Sequence, residues 1–154
     1  MKPTYAHELS ERALKNYEIL AKLEKDGEEN IYTTTALISA MIFSVISLNE
    51  DIIDKDENYI SPQIRGLSWP LEVKTYIYSD TNFFKFLNSL RNSIAHNDFC
   101  FLIEEKTEIV RGVSFHIKDE KENIDFFEEH LVSLLKCLTK LYGYYKIDYS
   151  YKYI

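Results

Sequence analysis

The chain has 154 residues, 45% hydrophobic and 28% charged, the profile of one soluble globular domain over residues 1–154 with a sizeable core. Its formal charge of −7 argues against a broad nucleic-acid cradle, because sequence-independent binding uses many Lys and Arg contacts that release counterions. A nucleic acid would have to be gripped locally. Cys100 and Cys137 lie in apolar settings, Phe-Cys-Phe and Leu-Lys-Cys-Leu, and two cysteines make no disulfide framework. They read as buried free thiols of a reducing cytoplasm. The N-terminus, Met-Lys-Pro-Thr-Tyr-Ala-His-Glu, has no apolar core of a signal peptide, and the apolar run Ala36–Leu48 falls short of the ~20 residues of a membrane span. No membrane association and a cytosolic location are expected.

In chain order, Ala6, Leu9, Ala13, Tyr17 and Leu20 recur at helical spacing from about Tyr5 to Asp26, and Gly27 supplies a stop. This predicts an amphipathic outer helix. A second helix starts near Thr33 and is apolar on all sides through Leu37, Met41, Phe43, Val45 and Leu48, as an enclosed central helix would be. From Asn49 to Asp80 turn residues mix with short apolar pieces, and no element is assigned. The third helix begins at an Asp80 or Thr81 cap and carries Phe83, Leu87, Leu90 and Ile94 as a core-facing stripe. Next, Phe99, Phe101 and Ile103 alternate with other residues, as do Val113, Phe115 and Ile117. These runs predict a hairpin around Glu105-Lys106-Thr107-Glu108. A last helix is expected from about Ile124 to Tyr145, with Phe127, Leu131, Leu134, Leu138 and Leu141 in register. The fold class is therefore mainly α, a helical bundle with one β-hairpin after the third helix.

Arg91-Asn92-Ser93-Ile94-Ala95-His96 brings an arginine, an amide and a histidine to the end of that third helix. At ~100° per residue, Asn92 and His96 point away from the core as neighbours on one face, while Arg91 lies at the flank of the stripe, ~140° from His96. Arg91 and His96 of one protomer therefore do not converge directly. Either the arginine curls over the helix end, or a two-fold homodimer sets a second trio beside the first. Phe84 and Phe86, off the core stripe, favour the dimer as leftover apolar surface.

The residue types suit RNA cleavage, in which the substrate's 2′-hydroxyl is the nucleophile. Histidine is the side chain whose unperturbed pKa lies nearest neutrality, which lets His96 act as general base or acid. Arg91 matches phosphate oxygens with two parallel hydrogen bonds and would hold the developing charge. Asn92 would orient the phosphate or His96. The same residues also have an ordinary structural explanation. Outward polar pairs are usually solvated, and a histidine in the last turn, followed by Asn97 as a left-handed cap, suits a helix C-terminus.

The segment Leu90-Arg91-Asn92-Ser93-Ile94-Ala95-His96-Asn97-Asp98-Phe99, with the alternating strand after it, resembles the signature of HEPN domains. The specific likeness spans about Asn82 to Lys118. It implies a helical bundle that dimerises with both motifs near the interface and in many members cleaves RNA without a metal or cofactor, often as a toxin or defence protein. By position it marks Arg91, Asn92 and His96 as the site. An antitoxin or other protein partner belongs to the same expectation. Some HEPN toxins carry, two residues after the histidine, a tyrosine that a nucleotidyltransferase antitoxin modifies. Asp98 stands there instead, so the basis for that mode of control is missing. The alternative is a non-catalytic HEPN dimer that binds nucleotide, RNA or a protein.

Other groups carry less. His7, His116 and His130 lie far apart and show no paired ligand spacing for zinc. Glu128-Glu129-His130 reads as a solvated helix face. The aromatic run Tyr142–Tyr153 could stack bases, but packing is the better reading, with Tyr149, Tyr151 and Tyr153 alternating as in a short strand.

Overall fold

A computed structural model describes residues 5–46, 62–77, 80–117 and 120–144. Among these, six helices and one three-stranded sheet are present: α1 (Tyr5–Lys25), α2 (Thr33–Ile46), α3 (Pro62–Arg65), α4 (Leu71–Ile77), α5 (Asp80–Ala95), β1 (Phe99–Ile103), β2 (Val110–Phe115), β3 (Ile124–Phe127) and α6 (Glu128–Tyr144). The fold is mainly helical, with the sheet inserted after α5, as the hydrophobic periods imply. No helix among the described residues is long and apolar enough to cross a membrane.

The helix α1 ends where Gly27 adopts a φ of 89°, and the Gly27 and Glu28 N–H groups return to the carbonyls of Glu24 and Leu23. Packed together, α1, α2 and α6 enclose Leu37, Met41, Val45, Leu134, Leu138 and Leu141. Each such side chain withdrawn from water contributes about 1.5–3 kcal/mol. Ser10 and Ser44 share a 2.9 Å hydrogen bond inside this interface, and Tyr142 donates its hydroxyl to the Ser44 carbonyl. α2 is not enclosed on all sides. Thr35, Ser39, Phe43 and Ile46 lie along an exposed stripe, because the neighbours of α2 cover only its other faces. Leu48 lies outside the described residues.

Two short helices occupy part of the stretch that periodicity left unassigned. Trp69 anchors them. It donates Nε1–H to the Ile64 carbonyl at 2.8 Å and meets Phe83 of α5 edge to face, centroids 5.2 Å apart. Tyr76 of α4 stacks on Phe86 at 4.1 Å, and Phe84 contacts Phe83. Phe84 and Phe86 are thus 2% exposed, buried by the chain's own α4 and α2. They are core residues and leave no apolar surface for a partner.

The sheet has the order β1-β2-β3, antiparallel throughout. The hairpin turns between Glu104 and Ile109, closed by Glu104 N–H to the Ile109 carbonyl at 2.9 Å. Glu108 takes the left-handed conformation, φ 56°, that a glycine would otherwise supply. Gly112 is required for a different reason. A Cβ there would lie 2.2 Å from the Phe126 carbonyl oxygen, so only a glycine lets β2 and β3 approach. The segment Ile124–Phe127 is a strand, not the first turn of the last helix. Pairing with β2 buries Phe126 and turns Phe127 out, 55% exposed, the reverse of what a helical stripe through Phe127 requires.

Alternation along β1 also corrects the expectation for Cys100. It points to the face opposite Phe99 and Phe101 and is exposed. Cys137, by contrast, is buried in α6, and desolvation pushes its thiol pKa up to about 11, with Lys140 opposing the shift. Tyr145 and the alternating tyrosines 149, 151 and 153 lie outside the described residues. Tyr142 is buried and Tyr144 exposed.

Candidate functional site

The end of α5 is built as a two-bond cap. Asn97 is left-handed, φ 56°, and the N–H groups of Asn97 and Asp98 return to the carbonyls of Ile94 and Ser93, at 3.1 and 2.7 Å. This fixes His96 as the last residue before the chain reverses into β1. Ser93, buried at that turn, donates Oγ–H to the Asp98 carbonyl at 2.6 Å. The same carbonyl accepts the His116 N–H at 3.1 Å. One oxygen therefore joins the end of α5, the entry to β1 and the exit from β2.

A solvent-open groove of about 550 Å³ lies along the outward face of α5. It is lined by Lys85, Asn88, Ser89, Asn92, Ser93 and His96, and completed by Asp98 and His116. Lys85, Ser89, Asn92 and His96 follow one another at spacings of four, three and four, a polar stripe opposite the buried Phe83, Phe86, Leu87 and Leu90. The placements read from the sequence hold for the trio. Asn92 and His96 are exposed neighbours in the groove, and Arg91 is half-buried at the flank and does not line it. The side chains of Arg91, Asn92 and His96 make no hydrogen bond or ion pair with a described residue. The groove carries one lysine, two histidines and one carboxylate, on a chain of net charge −7.

His116, weighed from the sequence only as a metal ligand, is a groove residue that the sequence did not join to the trio. A hairpin centred on Glu105–Glu108 carries the chain from Asp98 back to its neighbourhood. The bulge between Leu102 and Ile103 shifts the register by one, so Phe99 faces Phe115 and Asp98 faces His116. Pairing of this kind is not visible in the spacing of single residues.

The remaining histidines hold helices together. His7 of α1 donates Nδ1–H to the Thr139 carbonyl of α6 at 2.8 Å, with its ring against Gly143. His130 of α6 donates Nδ1–H to Glu72 of α4. Glu128 accepts the Tyr17 hydroxyl at 3.1 Å, and burial, with Glu128 adding to it, raises the Tyr17 pKa to about 12. Glu128 and His130 are thus inter-helix contacts and not simply a solvated face. Among the described residues, no three His, Cys, Asp or Glu side chains come together as metal ligands.

Compared with known families, the chain matches the family described as HEPN pEK499 p136 over residues 1–152. Neither a curated protein nor a solved structure matches it.

Proposed function

The chain belongs to the HEPN family, and from that premise we propose that it is a metal-independent endoribonuclease with Arg91, Asn92 and His96 as its site. The observation that carries the reading is the groove, where Asn92 and His96 stand side by side, exposed and with no hydrogen-bond partner among the described residues.

In the proposed reaction the 2′-oxygen of a ribose attacks the adjacent phosphorus, and the bond from phosphorus to the 5′-oxygen breaks. The products are a 2′,3′-cyclic phosphate and a 5′-hydroxyl. His96 moves a proton, Arg91 stabilises the charge of the phosphorane, and Asn92 holds a phosphate oxygen or the imidazole. Because Arg91 lies outside the groove that holds His96, the complete site is proposed to form in a two-fold dimer, with arginine and histidine from different copies. One exposed apolar surface that such a contact could bury is the hairpin, where Phe101 and Ile103 are 50% and 54% exposed. A cytosolic toxin or defence role, held in check by a protein partner, is the setting that this activity suggests.

Two measurements test the proposal. Purified protein should cut a mixed RNA pool in EDTA and leave 2′,3′-cyclic phosphate ends; RNA left intact would contradict it, and saturable nucleotide binding without turnover would select the non-catalytic HEPN reading. Mixing inactive Arg91→Ala and His96→Ala proteins should restore cleavage, because a mixed dimer regains one intact composite site. Mixtures that stay inactive, or a monomeric solution mass, would remove the shared site.

A further inference from the structure

Transesterification moves two protons, one off the 2′-oxygen and one onto the 5′-oxygen. These oxygens lie on opposite sides of the phosphorus, so a single imidazole on one side serves only one of them. The groove holds a second imidazole. His116 lines it together with His96, and its main chain is tied through the Asp98 carbonyl to Ser93, in the helical turn that carries His96. Its ring is also oriented. Nδ1–H donates to Asn123 Oδ1 at 3.2 Å. An amide oxygen only accepts, so the bond keeps the proton on Nδ1 and leaves Nε2 as the atom that exchanges protons with a ligand.

On the reading that this groove cleaves RNA, we infer that His116 is a second proton-transfer residue of the site, working with His96, and that Asn123 is its positioning residue. One imidazole takes the proton from the 2′-hydroxyl while the other, protonated, gives its proton to the departing 5′-oxygen. Exchange with water then restores both. Among the described residues, Lys85 and Asp98 are the other charged groups that line the groove. A partner copy's His96 is the competing source of the second proton, which makes the assignment testable.

The test is the pH dependence of cleavage of a short RNA in EDTA by wild type, His96→Ala, His116→Ala, His116→Gln and Asn123→Ala, alongside binding of the uncleavable 2′-deoxy analogue. The inference expects His116→Ala and His116→Gln to lose about 100-fold or more in kcat with analogue binding retained. Their profile should keep only one limb of the bell: loss of the rising limb makes His116 the base, and loss of the falling limb makes it the acid. Added imidazole should recover part of the His116→Ala rate, and Asn123→Ala should show a smaller loss with both limbs present. Wild-type cleavage with His116→Ala within about twofold and both limbs intact would overturn the inference alone. RNA left whole by wild type would overturn both it and the ribonuclease reading.

Discussion

His7 and His130 sit where helices meet, each with a hydrogen-bond partner on another helix, whereas His96 and His116 sit on the rim of an open groove beside a lysine and two asparagines. The chain uses the same side chain in two ways, and the surroundings decide which. On the α1–α4–α6 side the imidazoles replace water for backbone and carboxylate groups that packing has partly dried. On the side of α5 and the hairpin, the large buried side chains are aromatic or aliphatic, Ser93 and Ser114 are small buried polar ones, and both imidazoles are exposed. In the second arrangement the imidazoles border an open groove; in the first they lie between helices.

Substitutions break or sharpen that contrast, beginning with the scaffold beneath the groove. Leu87→Ala removes a wholly buried side chain from the core face of α5 and should lower stability by about 2–5 kcal/mol, read by denaturant melts. Gly112→Ala forces a methyl group against the Phe126 carbonyl and should cost about 1–3 kcal/mol while disturbing the hairpin that carries His116. His130→Ala should cost about 1 kcal/mol and leave the groove unchanged, so its effect belongs in a melt and not in an activity assay. The smallest effect is expected from Lys85→Ala, which should weaken RNA binding equally for all sequences and reduce the salt dependence by about one counterion. A sequence-dependent loss at Lys85 would contradict its assignment to a phosphate.

Much of this architecture is legible in the sequence, for reasons that also explain the gaps. The stripes on α1, α5 and α6 are long enough for the helical period to emerge, and Gly27 and Asn97 mark their ends because each adopts a positive φ. The strand Ile124–Phe127 is hidden because Phe127 continues the α6 stripe by coincidence, while its real constraint is pairing with β2, which local spacing does not register. The helices α3 and α4 are too short for a period, and Trp69 organises them through contacts with Ile64 and Phe83. Phe84 and Phe86 read as spare surface from the sequence because α4, whose Tyr76 stacks on Phe86, has no visible period. At the site, the outward pair Asn92 and His96 follows from helical angles alone, but His116 enters through the register of a bulged hairpin.

The most direct measurement compares cleavage of a mixed RNA pool in EDTA, and thermal melting, for wild type, His96→Ala and His130→Ala prepared side by side. The account predicts that His96→Ala loses cleavage by about 100-fold or more and melts like wild type, whereas His130→Ala melts lower and still cleaves. Cleavage by His96→Ala at the wild-type rate would contradict it.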